Sequence, residues 1–183
     1  MVTFISGNQR KIENLHLFLN PYDATFESTS LPDLLEIQSH DMFEVAKHKA
    51  ISAYDRLQKP VIINDGGWSI PALRGFPGPY MKDVNRWLSP EDIWNMMKDK
   101  EDRSISLTDI YVGVDREGEV SVFSAEFPAT FVAPTNTAKT LDDIVIFNGA
   151  TSVISKLTNE ERLVIWGKKK IWSEIAEWVK VNS

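Results

Sequence analysis

Lys11 stands one turn into a segment that opens Ser6-Gly7-Asn8-Gln9-Arg10, directly after the short apolar run Val2 to Ile5. A strand that turns into a helix at a glycine offers backbone N–H groups and close approach to an anion, and a lysine one turn in reaches the same charge. An ordinary strand–helix turn with a surface lysine fits the same residues, because short glycine motifs are weak signals. Asp65 follows a second apolar run, Val61-Ile62-Ile63, and precedes Gly66-Gly67. A carboxylate in a loop at a strand end suits a hard cation shared with phosphates; it also suits a plain turn. Glu36, expected at the end of another strand, is a further oxygen ligand of the same kind, or a solvated edge carboxylate. Gly75-Phe76-Pro77-Gly78-Pro79-Tyr80-Met81-Lys82 is more distinctive. Its glycines and prolines fix an unusual backbone path, and a lysine follows at once.

These residues need elements to hold them. Val2 to Ile5 reads as a strand, followed by a helix with Ile12, Leu15 and Leu19 on one face, widened by Leu17 and Phe18 and stopped at Asn20-Pro21. Ala24 to Glu27 and Leu34 to Ile37 read as strands. Asp41 caps a helix with Val45, Ala46, Lys49, Ala53 and Leu57 at helical spacing, which ends at Lys59-Pro60. Val61 to Ile63 reads as a strand buried on both faces. Asn64 to Trp68 and Gly75 to Tyr80 read as loops. Short helices are expected over Met81 to Leu88 and Pro90 to Lys98, and a hairpin from Ile105 to Val114 and Val120 to Phe127 around Asp115 to Gly118. Strands at Thr130 to Ala133 and Ile144 to Phe147, then one or two helices from Asn159 to Val181, complete a mixed α/β pattern.

The 183 residues are 43% hydrophobic and 25% charged, which suits one globular domain with room for two lobes. The net charge of −6 speaks against a nucleic-acid-binding surface, yet leaves space for a local lysine pocket. With no cysteine, disulfides and thiolate zinc sites are excluded. His16, His40 and His48 form no pair with metal-binding spacing. The start is too short and uncharged for a signal peptide, and no apolar stretch approaches a membrane span. A cytoplasmic protein without membrane contact is the expectation.

Taken together, these segments resemble the inosine triphosphate pyrophosphatase family, which acts on non-canonical purine nucleoside triphosphates. The resemblance rests on Ser6 to Lys11, on Glu36-Ile37-Gln38 with Lys49 in the following helix, on Asn64 to Gly67, on Gly75 to Lys82, and on Phe123 to Pro134. It implies a mixed twisted sheet with flanking helices, an elongated two-lobed α/β domain over residues 1–183 with a central active-site cleft, usually as a homodimer. It implies that Glu36 and Asp65 hold Mg²⁺ and that Lys11, Lys49 and Lys82 grip the triphosphate. An activated water then attacks the α-phosphorus and pyrophosphate leaves. Asp65, Lys11 and Lys49 are the expected catalytic residues. Ser6, Gly7, Asn8, Lys11, Lys49, Gly66, Lys82, Asp142, Arg162 and Lys168 are the expected substrate contacts. The expected reaction turns ITP, dITP and XTP into the monophosphate and pyrophosphate. An enzyme of the same fold with another or a broad base preference, or a nucleotide-binding protein with weak turnover, are the alternatives.

The chain departs from the family pattern at three places. Asn64 stands where an acid is usual, so an aspartate restored there is expected to hold or raise activity. Ala125 and Ala129 replace glycines of the hairpin. In the base-recognition segments, Leu141-Asp142-Asp143 stands for an aromatic-Asp-Pro and Trp166-Gly167-Lys168 for a Ser-His-Arg. Asp142 and Lys168 keep the sign of charge. Trp166 is either a stacking surface for the base or a core residue of the C-terminal helices.

Overall fold

The computed structural model describes all residues, 1–183. Its strands are β1 (Thr3–Ile5), β2 (Glu27–Thr29), β3 (Val61–Ser69), β4 (Pro77–Gly78), β5 (Ser104–Val114), β6 (Val120–Phe131) and β7 (Val145–Phe147). The helices are α1 (Gln9–Leu19), α2 (Met42–Leu57), α3 (Met81–Trp87), α4 (Pro90–Met96), α5 (Asn159–Ile165) and α6 (Ile171–Asn182). The strands pair in the order β2-β1-β3-β5-β6-β7, with β4 on β3. The sheet is mixed: β1 runs parallel to β2 and β3, while β4 and β7 pair antiparallel. This is the α/β class expected from the sequence.

The chain forms two compact units. The first comprises Met1–Gly66, Asp109–Ala125 and Gly167–Ser183; the second comprises Gly67–Thr108 and Glu126–Trp166. In the first unit, Ala46, Ala50 and Ala53 of α2 are fully buried against Ile5, Val61, Ile63, Ile110, Val112 and Val114. Three alanines at that spacing bring the helix backbone close to the sheet, and apolar burial stabilises the contact. The Asp41 carboxylate caps α2 by accepting the Phe43 N–H at 2.7 Å. Helix α6 lays the buried Trp172 on Phe18 of α1, ring centroids 4.3 Å apart. It also places Trp178 over Gly113, where an added Cβ would lie 2.6 Å from the indole. Only glycine admits so close an approach.

The core of the second unit is aromatic. Trp68, Phe127, Phe147 and Trp166 are all buried, with Trp166 centred 4.6 Å from Phe147 and 5.7 Å from Phe127. Trp166 is therefore core, and the stacking role for a base is set aside. Short helices α3 and α4 lie where the sequence puts them, the second with a Ser89–Asp92 capping box.

Four local expectations change. Leu34 to Ile37 is not a strand. Leu35 is 81% exposed, and no neighbouring strand takes up the backbone. Asn64 to Trp68 is not a loop, because β3 runs straight through it to Ser69. Two glycines in a strand read as a turn, but here β3 lies between β1 and β5 and also pairs with β4 at Trp68 and Ser69, so the segment stays extended. Finally, Thr130 and Phe131 belong to β6, and the strand at 24–27 is shifted to Glu27–Thr29.

Candidate active site

Parallel pairing in register puts the turn after β1 beside the middle of β3. Ile5 of β1 lies opposite Ile63 of β3, so Ser6 to Asn8 and Asn64 to Asp65 leave the paired segment together. The carboxyl ends of parallel strands are where open α/β sheets present their chemistry. Asn8 caps α1, and its Oδ1 accepts the backbone N–H of Arg10 at 3.0 Å and of Lys11 at 3.4 Å. Those two N–H groups, which the sequence offered to an anion, are thus held by the cap. Ser6 Oγ accepts the Asn8 N–H at 3.1 Å and tightens the same turn.

Lys11 reaches back from α1 and donates to the Asn64 carbonyl at 2.9 Å. Burial pulls its ammonium below the usual lysine range, against the attraction of Asp65 and Asp109. Lys49 follows Ala46 by three positions and so emerges from the buried face of α2. Its ammonium donates to Glu36 Oε1 at 2.6 Å and to Asp65 Oδ2 at 3.4 Å. Burial lowers the Lys49 pKa, but the Asp65 charge and the Glu36 hydrogen bond outweigh it, and the net shift is upward. Asp65 Oδ1 accepts the N–H of Gly66 at 2.9 Å.

The first unit therefore joins Lys11, Glu36, Lys49, Asn64 and Asp65 through direct contacts, with Ser6, Gly7, Asn8 and Gly66 adjoining in sequence. Lys168 also belongs to it, exposed in the turn before α6. Lys82, Asp142 and Arg162 belong to the second unit. Lys82 is exposed on α3, and Asp142 and Arg162 are half-buried. Asp143, the neighbour of Asp142, serves its own cap. Hydrogen bonds from Ser155, Lys139 and Thr140 hold its carboxyl down at about 2.

Sequence reasoning missed Asp109. Its Oδ1 accepts from Asn64 Nδ2 at 2.5 Å. A lone carboxylate within the apolar run Ile105 to Val114 was the available signal. Burial pushes its carboxyl up from 3.8 to about 6, against the Asn64 hydrogen bond and the Lys11 charge. Between those values the folded chain holds a proton that the unfolded chain has released. Stability from this group is thus present at about pH 4 and is lost as pH rises through about 6. Asp109→Asn removes the charge and keeps an acceptor for Asn64. Its stability relative to the parent, read from melts, should climb between pH 4 and 7 and then level, by on the order of 1–3 kcal/mol. A difference independent of pH would refute this assignment.

The two carboxylates Glu36 and Asp65 converge on one ammonium, which shows that their oxygens can serve a single cation. Such hard oxygen donors fit a divalent ion that keeps water and phosphate among its ligands.

Comparison with known proteins places the chain. The Ham1 family model matches residues 2–178, and the chain belongs to that family. The Ham1 protein of Staphylococcus aureus shares the fold with a TM-score of 0.75 over 100% of both chains, at 20% identity. A HAM1 protein from Coxiella burnetii gives 0.76 over 98% of each chain, at 15% identity. The dITP/XTP pyrophosphatase of Methanopyrus kandleri is 30% identical over 183 residues, 99% of this chain and 97% of its own length. Inosine triphosphate pyrophosphatase 2 of Trypanosoma cruzi is 32% identical over 110 residues, 60% of this chain and 55% of its own.

Proposed function

We propose that the whole chain, residues 1–183, works as one pyrophosphatase domain that converts ITP, dITP and XTP into the monophosphate and pyrophosphate. The observation that carries this reading is the cluster at the strand ends, where Lys49 is held by Glu36 and Asp65 beside Lys11. Two ammonium groups at one edge suit a triphosphate. Full-length similarity to a dITP/XTP pyrophosphatase supports the substrate class.

In this reading Lys11, Lys49 and Lys82 bind phosphate oxygens, and Glu36 and Asp65 hold Mg²⁺. The bound ion neutralises charge on the phosphates. Asp65 orients a water toward the α-phosphorus and takes its proton. The new bond joins the water oxygen to that phosphorus. The bond from the α-phosphorus to the bridging oxygen breaks, and pyrophosphate leaves with the electron pair. Asp142, Arg162 and Lys168 meet the base. A lysine donor matches the O6 acceptor of hypoxanthine and xanthine and mismatches the amine of adenine. A single ammonium lacks the two-pronged reach of an arginine, which loosens selectivity toward GTP. A cytoplasmic homodimer completes the proposal.

The test is product analysis over ITP, dITP, XTP, GTP and ATP with Mg²⁺. Monophosphate and pyrophosphate should appear together, with kcat/KM higher for ITP than for ATP. Diphosphate and orthophosphate as first products would overturn the reading.

A further inference from the structure

The amide of Asn64 is turned toward β5. It donates to Asp109 Oδ1 and also lies 3.3 Å from the Ile110 carbonyl. Asn64 is only 8% exposed, so this amide depends on protein acceptors. Its main-chain carbonyl meanwhile accepts from Lys11, and the next residue, Asp65, meets Lys49. One continuous set of hydrogen bonds therefore runs from Asp109 through Asn64 to Lys11, and the peptide in the middle carries Asp65.

We infer that Asp109 is a positioning residue of this site: through the Asn64 side chain it fixes the Asn64–Asp65 step, and it supplies from β5 the second carboxylate that position 64 lacks. This inference rests on the pyrophosphatase reading above. An acid drawn out of water on β5 is costly unless it is satisfied, and the groups that act on the Asp109 carboxyl are Asn64, Lys11 and Asp65 of the cluster described above. The negative charge is close enough to Lys11 to act on its ammonium, as Asp65 also does. Acid and amide are complementary here and can be exchanged: whichever of the two positions holds the carboxylate, the other must donate. An aspartate at 64 facing the native Asp109 would set acceptor against acceptor, with the Ile110 carbonyl as a third. The geometry thus reverses the expectation that restoring an acid at 64 helps.

Three variants test the inference: Asp109→Asn, Asn64→Asp, and the double exchange. Asp109→Asn keeps an acceptor for the Asn64 amide, so a merely structural role would leave kcat unmoved. We expect the variant to melt no lower than the parent at neutral pH while kcat falls by about tenfold or more. Asn64→Asp alone should lose at least as much. The double exchange restores a donor between the two positions but still takes the amide from the Ile110 carbonyl, so kcat should rise to about threefold or more above either single variant, where independent losses would multiply. Binding of pyrophosphate with Mg²⁺, followed by calorimetry on all four proteins, should show the same pattern. Full kcat in Asp109→Asn overturns the inference. So does a double exchange that is no better than Asp109→Asn, or that fails to fold. If no protein turns over any nucleotide but pyrophosphate binding is lost and then restored by the exchange, the pyrophosphatase reading fails and the pair stands. Turnover by the parent without restoration does the reverse.

Discussion

Asp65→Asn should lower kcat by on the order of 10²–10³-fold, the scale of losing one preorganised charge contact to the transition state. The substitution is nearly isosteric. Its remaining oxygen can still accept the Gly66 N–H, so β3 keeps its path. What disappears is the negative charge that faces Lys49 and would hold a cation with Glu36. The fold should survive, because a partly exposed ion pair is worth only about 0–1 kcal/mol. The measurement pairs kcat at saturating ITP and Mg²⁺ with a thermal melt. Undiminished turnover on a folded protein would remove Asp65 from the reaction.

Lys11→Met should cost kcat/KM on the order of 10²-fold or more, expressed largely as a higher KM, since truncating one partner of a desolvated charge pair costs about 2–5 kcal/mol. Methionine keeps the aliphatic stem over α1 and removes only the ammonium. That ammonium is partly buried, shifted downward and bonded to the Asn64 carbonyl, so it is poorly hydrated before any ligand arrives. A phosphate that meets it displaces little water and gains nearly the full attraction. Inhibition by added pyrophosphate should weaken in parallel. Equal KM values for the two proteins would place Lys11 outside the phosphate contacts.

Local signals in the sequence suffice where a single element decides the outcome. The Asp41 cap, the helix that carries Lys49 and the apolar run Val61 to Ile63 all follow from spacing within one segment. Lys11 and Asp65 were legible as a pair only through the family likeness, because the parallel register that brings them together joins distant segments. Leu34 to Ile37 misleads because a short apolar run, Leu34-Leu35 with Ile37, resembles a strand even when no partner strand exists. Gly66-Gly67 misleads in the opposite sense, since the strands beside β3 hold extended a stretch that glycines alone would let turn. Asn64 looked like a lost acid, and its true partner lies on another strand. No spacing rule connects residues 64 and 109; only the pairing of β3 with β5 does.

The three-part construction of the first unit sets the timing of its assembly. The helix bearing Lys11 emerges from the ribosome well before α6, which carries the indole that covers Phe18. Until then the nascent chain carries Phe18 without that cover while the second unit is translated. Contacts of such sequence separation close slowly, since long loops must be ordered before they are rewarded. The first unit is therefore complete only once α6 has emerged, and the waiting α1 surface is the part of the nascent protein that a holdase chaperone would meet.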